Sequence, residues 1–308
     1  MSIVYKADPV RGKRWQALLA GKAPERRLHL WPEYGDPAAV RYLVAWQPPE
    51  HVMACFPNLQ VLFSTGAGVD QLDLDRIPAE LPVVRMIDPG LTQGMVEYVV
   101  LAVLALQRDM PAYLSQQRAG VWQPLAQRPA ARTRVGVMGV GELGRSVLER
   151  LACFGFACEG WNRSPKQMDG VPVSSGDQAL DAFLARTDIL ICLLPLTPAT
   201  RGLLNTTLFD QLPRGAAVVN VARGPQLVID DLLAALDRGQ LGGAVLDVVD
   251  PEPLPADHPL WTHPRVWLTP HVASATQPET ALDALLANIE RFEHGEPMQG
   301  EVDRSRGY

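Results

Sequence analysis

The sequence predicts an α/β protein built on two parallel sheets, and three observations carry this. Short β-branched runs alternate with segments of helical period along all 308 residues, which is how strands joined by crossover helices read. The strand candidates form two series, separated by a long helical segment and a proline-containing stretch. One strand of the second series runs directly into a Gly-x-Gly-x-x-Gly turn and a helix.

In the first series the expected strands are Ile3–Ala7, Arg27–Trp31, Tyr42–Trp46, Gln60–Ser64 and Val83–Ile87. A helix is expected from about Thr92 to Arg118, and Trp122–Pro129 reads as a connector. The second series comprises Arg134–Met138, Ala157–Trp161, Ile189–Leu194, Ala217–Val221, Ala244–Val249 and Val266–Thr269. Helical patterns such as Asp230–Arg238 separate these strands. A last helix, about Pro278–His294, follows the series and is expected to return to pack on the first domain. That domain would then be discontinuous, 1–92 with 278–308, around a second domain of 93–277.

The bulk composition narrows the class. A hydrophobic share of 47% beside 20% charged residues fits a globular chain with a full core. A net charge of −6 argues against nucleic acid or an anionic membrane as partner, since both select a concentrated basic surface. The longest apolar run, Val99–Leu106, falls short of the ~20 residues that span a bilayer. Met1 to Lys6 reads as a strand and not as a signal peptide. Cys55, Cys153, Cys158 and Cys192 lack metal-ligand spacing, and the six histidines are scattered. The cysteines are expected to be reduced core residues of a cytoplasmic protein, with no metal; a disulfide or zinc site is the alternative.

The glycine turn is Gly139-Val-Gly141-Glu142-Leu143-Gly144, after Arg134–Met138 and before a helical segment Arg145–Cys153. In that context Gly139 permits the tight turn, Gly141 admits a pyrophosphate to the backbone, and Gly144 lets helix and strand pack closely. The helix N-terminus offers unpaired N–H groups and a positive dipole end to phosphates. The prediction is a Rossmann-type doubly wound nucleotide domain; a glycine-rich turn without a ligand is the alternative. An NAD site has a carboxylate about 20 residues on, for the ribose hydroxyls. Here the strand ends Trp161-Asn162-Arg163-Ser164, with no acid. Arg163 can pair with a 2′-phosphate, Asn162 and Ser164 can donate to it, and Lys166 adds charge. NADP(H) is therefore the expected cofactor, unless Arg163 is a solvated surface residue.

Three further strand ends carry unusual polar residues: Asn220-Val-Ala-Arg223-Gly224, Asp247 to Pro253 with Glu252, and Thr269-Pro-His271. Ligands of an open parallel sheet collect outside the carboxyl ends of its strands, so Arg223, Glu252 and His271 are expected near one crevice. Arg223 can hold a carboxylate and polarise a carbonyl, and His271 can act as acid–base. Glu252 would fix the imidazole tautomer and favour the imidazolium. Taken singly, each has a structural alternative: an ion-pair arginine, a core histidine, a loop carboxylate. Trp46 can narrow a pocket, together with Met95, or pack in the first domain's core.

These motifs resemble one family. Asn220–Gly224, Gly242–Asp247, Pro251 to Pro255, His258 to Trp261 and Thr269 to Ala273 are similar, in order and spacing, to the D-isomer-specific 2-hydroxyacid dehydrogenases. Asp88–Tyr98 and the ending Val302–Tyr308 resemble its branch that reduces glyoxylate and hydroxypyruvate. The resemblance covers essentially the whole chain. It implies a nucleotide domain beside a smaller flavodoxin-like α/β substrate domain, and a reduction of glyoxylate to glycolate or hydroxypyruvate to D-glycerate. It implies a catalytic trio of Arg223, Glu252 and His271, with His271 as general acid. It further implies that the loop Ser64–Asp70 takes the substrate carboxylate on backbone N–H groups around Ala67 and Gly68, a loop that reads equally as an ordinary turn. Glu142, Leu143, Leu194, Pro195, Thr197, Val221, Ala222, Asp247 and Ala273 would flank the cofactor, with Asp247 near the nicotinamide. NADPH is preferred and NADH possible. Family members pair as homodimers, and Met95–Leu106 is a candidate for that interface or for the intradomain core. Two rival readings stand: another substrate of the same family, such as phosphoglycerate or formate, and a dinucleotide-sensing binding protein without catalysis. The first is weakened for phosphoglycerate because no regulatory domain follows residue 308.

Overall fold

Strands buried on both faces of a parallel sheet read as near-continuous apolar runs, and Val61–Ser64 of the first series, buried at every residue, comes close to this, whereas the edge strand Arg27–Leu30 does not. The computed structural model describes residues 2–308 and divides the chain into two units, one running to Leu91 and resuming over Ala275–Tyr308, the other Thr92–Ser274.

In the first unit β1 (Ser2–Lys6) leads to helix α1 (Pro9–Lys22), then β2 (Arg27–Leu30), β3 (Val40–Ala45), the short α2 (Val52–Cys55), β4 (Val61–Ser64) and β5 (Val83–Val84). The sheet is parallel, in the order β2-β1-β3-β4-β5, the flavodoxin-like arrangement. Alternation along β1 sends Ile3 and Tyr5 to one face and Val4 to the other. Asp8 caps α1 by accepting from the Arg11 N–H at 2.7 Å, with Pro9 in the first turn. The helix buries Trp15 and Leu19 against the sheet.

The second unit contains most of α3 (Pro89–Gln107), α4 (Met110–Ala119), β6 (Arg134–Met138), α5 (Glu142–Cys153), β7 (Ala157–Asn162), β8 (Val173–Ser175), α6 (Leu180–Leu184), β9 (Ile189–Cys192), α7 (Thr206–Gln211), β10 (Ala216–Asn220), α8 (Ile229–Asp237), β11 (Leu241–Leu246) and β12 (Val266–Leu268). The seven strands are parallel, in the order β12-β11-β10-β9-β6-β7-β8. This is the Rossmann-type order with one added edge strand, and its direction reverses between β6 and β9. Val135 and Val137 face one core with α3 and α5; Met138, Leu190 and Val218 face another with α7 and α8.

The last helix, α9 (Pro278–Glu293), belongs to the first unit. Ala281, Leu282, Leu285 and Ile289 are buried with Tyr5, Trp15 and Tyr42, and Arg14–Glu279, Lys22–Asp283 and Arg26–Glu293 pair across to α1 and the turn after it.

Four expectations need correction. The segment Thr92–Arg118 is two helices, broken where Asp109 takes a left-handed backbone (φ 55°). Pro111 lacks an N–H and its ring crowds the carbonyl four residues back, so a helix running through it would kink or break, whereas the first turn of a new helix accommodates it. Strand β8 was not expected: three half-buried residues with one apolar side chain give no periodicity. Of the cysteines, Cys192 alone is buried; Cys153 is exposed on α5, and all four are free thiols. Helix α3 as a whole, unlike the run Val99–Leu106 within it, is long and apolar enough to cross a membrane by length and composition. Its Val96, Val99, Ala102 and Val103 are buried in the core of the second unit.

Candidate active site

The glycine turn forms as its spacing requires, with a different physical reason at each glycine. Gly139 has φ +103°, and a Cβ there would lie 2.7 Å from the Leu193 carbonyl oxygen, so a side chain is excluded twice over. A Cβ at Gly144 would fall 1.9 Å from the Gly139 oxygen, which seats α5 directly on the turn. At Gly141, the residue before α5, a Cβ would meet nothing within 4 Å. Open space therefore faces the turn and the first N–H groups of the helix, and a pyrophosphate fits there. Glu142 stands exposed at the start of α5 and Leu143 is half-buried beside it.

After β7, Asn162 shapes the loop: its Oδ1 accepts from the Val140 N–H at 3.4 Å and its Nδ2 donates to the Ser164 carbonyl at 2.8 Å. Arg163 and Lys166 are exposed. After β9, the Thr200 hydroxyl donates to the Pro195 carbonyl at 2.7 Å and accepts from the Thr197 N–H at 2.9 Å, closing the turn that begins at Leu194.

That turn is also held by Gln226, which sequence reasoning missed. Its fully buried amide donates to the Leu194 and Pro195 carbonyls at 3.1 and 3.2 Å, while its Oε1 accepts from the Arg223 N–H at 3.0 Å. Asn220 closes the other side, accepting from the Ala222 N–H at 3.2 Å and donating to the Arg223 carbonyl at 3.1 Å. The Val221 and Ala222 side chains are buried, so this segment has its backbone to offer a ligand.

The structure brings the segments of Arg223, Glu252 and His271 together. A Cβ at Gly224 would sit 1.9 Å from the Val249 oxygen, so the loop after β10 lies directly against the loop after β11. Glu252 is anchored by its own loop, its Oε1 accepting from the Val249 N–H at 3.1 Å. Its Oε2 accepts from His271 Nδ1 at 2.8 Å. A carboxylate accepts only, so Nδ1 carries the proton and Nε2 is left for other chemistry; among the described residues Nε2 has no hydrogen-bond partner. Arg223 is half-buried, with Nη1 donating to the Ala222 carbonyl at 2.8 Å.

His271 has a left-handed backbone, φ 55°, which costs a non-glycine residue on the order of 1–3 kcal/mol unless its surroundings enforce it. Asp247, 2% exposed, enforces it. The Asp247 carbonyl accepts from the His271 N–H at 2.8 Å, and its carboxylate accepts from the Val272 and Ala273 N–H groups, each at 2.8 Å.

In the first unit the carbonyls of the loop after β4 are engaged one by one. Thr276 donates to the Thr65 carbonyl at 2.7 Å, the Met86 N–H to the Gly66 carbonyl at 2.9 Å, and the Ser64 hydroxyl to the Gly68 carbonyl at 3.2 Å. With those carbonyls engaged, the N–H groups of Ala67 and Gly68 have no acceptor among the described residues. Trp46 is 43% exposed and its ring edge would stand 3.4 Å from a Cβ at Gly66, so it leans on this loop and is not a core residue. Met95, by contrast, is buried in the core of the second unit.

The family model of the D-isomer specific 2-hydroxyacid dehydrogenase NAD binding domain matches residues 100–273, more than half of the chain. The chain belongs to the D-isomer-specific 2-hydroxyacid dehydrogenase family. It is 43% identical to a glyoxylate/hydroxypyruvate reductase A of Yersinia enterocolitica, with 100% of both proteins covered. Among solved structures, a family member of Xanthobacter autotrophicus in complex with NADPH and MES superposes with a TM-score of 0.94 at 42% identity, covering 100% of this chain and 99% of that one. An NADPH-dependent glyoxylate/hydroxypyruvate reductase of Sinorhizobium meliloti, in complex with NADP and sulfate, gives 0.91 at 37% identity and the same coverage. Within this family, the second unit is the Rossmann-type nucleotide domain.

Proposed function

We propose that the chain is an NADPH-preferring reductase of small 2-oxo acids, converting glyoxylate to glycolate and hydroxypyruvate to D-glycerate. The observation that carries this reading is the His271–Glu252 pair at 2.8 Å, on a loop lying against the segment of Arg223. The relatives that reduce glyoxylate and hydroxypyruvate, and those crystallised with NADPH or NADP, support the substrate class and the cofactor.

Gly139, Gly141, Glu142, Leu143 and Gly144 would hold the pyrophosphate. Asn162, Arg163 and Ser164 would shape and charge the place of the 2′-phosphate. Leu194, Pro195, Thr197, Val221, Ala222, Asp247 and Ala273 would flank the remainder. When bound, the reduced nicotinamide supplies the hydride. Arg223 pairs its permanent charge with the substrate carboxylate and the oxygen on which negative charge develops. The family resemblance also assigns the N–H groups of Ala67 and Gly68 to binding a substrate carboxylate, and Trp46 would limit the length of the substrate chain. His271 gives its Nε2 proton to the carbonyl oxygen as the alcohol forms. Glu252, fixed by its own loop, keeps Nδ1 protonated and balances the imidazolium that delivers that proton. We assign the discontinuous first unit as the substrate-binding domain. We also infer a cytoplasmic homodimer with no nucleic-acid or membrane partner, supported by the family resemblance and by the exposed apolar side chains Leu101, Met110, Leu114, Val121 and Trp122. Sedimentation at the mass of a single chain overturns the dimer.

The test is loss of nicotinamide absorbance with NADPH and, in turn, glyoxylate, hydroxypyruvate, pyruvate and phosphohydroxypyruvate. Turnover is expected with the first two, and His271→Ala should lower kcat by about a hundredfold or more. No turnover with any of the four, alongside intact NADPH binding, would make the chain a dinucleotide-binding protein instead.

A further inference from the structure

We propose that Tyr98 and Thr269 are positioning residues, acting through Asp247 to hold His271 in the backbone conformation from which its ring meets Glu252. The proposal rests on the reading of His271 as the general acid.

The left-handed backbone at His271 is sustained by the carbonyl and carboxylate of Asp247, which together receive three consecutive N–H groups, those of His271, Val272 and Ala273. A carboxylate bound only by two neighbouring amides can still swing about its own torsion, and the loop would swing with it. The Thr269 hydroxyl removes that freedom by donating to Asp247 Oδ1 at 2.6 Å. A hydroxyl has one proton. Having given it to Asp247, the Thr269 oxygen is an acceptor toward Tyr98, whose Oη lies 2.5 Å away. The relay therefore runs in one direction, from Tyr98 through Thr269 to Asp247. Burial, the largest effect on Tyr98, pushes its hydroxyl up to about 12, so the donor stays protonated at working pH. The starting point is rigid, because Tyr98 lies on α3 among Val96, Val99 and Val103, all buried in the core. A catalytic loop of strained backbone is thus referred, through three side chains, to the middle of a core helix. Neither Tyr98 nor Thr269 has to touch substrate or cofactor for this.

The experiment compares Tyr98→Phe, Thr269→Val and Thr269→Ser with the unaltered full-length enzyme. Displacing a catalytic group by a fraction of an ångström costs rate more than binding, so kcat should fall about threefold to tenfold in the first two variants. KM for NADPH should stay within about twofold, since the hold is on the acid and not on the dinucleotide. The solvent deuterium isotope effect on kcat should rise as proton delivery becomes slower, and Thr269→Ser should recover most of the rate. The Nδ1–H resonance of His271, followed by nitrogen-labelled histidine, should broaden in Tyr98→Phe and not in Thr269→Ser. Unchanged kcat, isotope effect and resonance in Tyr98→Phe overturn the relay, as does a loss confined to KM for NADPH. Should Thr269→Val fail to fold, Tyr98→Phe still decides. His271→Asn separates the two levels: if it retains turnover, the general-acid reading itself fails. If it is inactive while Tyr98→Phe and Thr269→Val are silent, the relay alone fails.

Discussion

Arg163 is where one side chain can be asked to choose a cofactor. Asn162 spends its amide on the loop itself, bonding the Ser164 carbonyl and the Val140 N–H, and so sets the backbone on which the exposed Arg163 stands. Hydrogen bonds to a charged group contribute about 1.5–3 kcal/mol, so Arg163→Ala should lower kcat/KM for NADPH by about tenfold to a hundredfold. The NADH value should move little, because its ribose carries no phosphate for the guanidinium. Parallel losses with both cofactors would show that Arg163 supports the loop and not the 2′-phosphate. How much of the site was legible beforehand follows the same division between side chains that reach outward and those that hold the frame. Arg223, Glu252 and His271 stood out because polar residues at the ends of buried strands are unusual. Gln226 did not, since a glutamine in a loop reads as solvated until the fold shows its amide bonding both the Arg223 backbone and the Leu194–Pro195 turn. The bond between Tyr98 and Thr269 joins residues far apart in the chain, and no local pattern encodes it.

At the scale of elements, α9 was legible and the break between α3 and α4 was not, for opposite reasons. The apolar positions Ala281, Leu282, Leu285 and Ile289 follow a helical period on one face. The break depends on one backbone angle at Asp109, ahead of a proline that is tolerated in a first turn and therefore ambiguous in a sequence. What fastens α9 is polar as well as apolar. Arg26 makes a two-pronged bond to Glu293 at 2.9 and 2.6 Å, and the Tyr42 hydroxyl donates to the same carboxylate at 2.9 Å. The Arg26 hydrogen bonds hold the Glu293 carboxyl below its ordinary range, against burial and with help from Tyr42. A carboxyl lowered on folding contributes stability above its unfolded value, about 4.3, and loses it as pH falls through the folded value. Urea midpoints should therefore favour the wild type over Glu293→Gln at neutral pH, with the gap closing below about pH 4. A gap that stays constant across that range means that shape, and not charge, holds the helix end.

At the scale of the molecule, the described residues form two sheets, each with its own pair of cores, one pair around β1–β5 and α9, the other around β6–β12. Each unit has hydrophobic cores of its own, one mark of an independently folding domain, and a single free energy of unfolding does not describe a chain of independently folding domains. The residues assigned to the dinucleotide all lie in Thr92–Ser274, so NADPH stabilises the native form of that unit by mass action, by about 2.7 kcal/mol at a hundredfold excess over Kd. In scanning calorimetry the unfolding should resolve into two components, of which saturating NADPH raises one and leaves the other in place. The unmoved component is identified by Leu285→Ala, because removing a fully buried leucine from α9 should lower it, by about 2–5 kcal/mol, with no effect on the component that answers to NADPH. A single transition that NADPH raises and Leu285→Ala lowers as one would show that the units unfold together, and that binding energy gained in the nucleotide domain is spread over the entire chain.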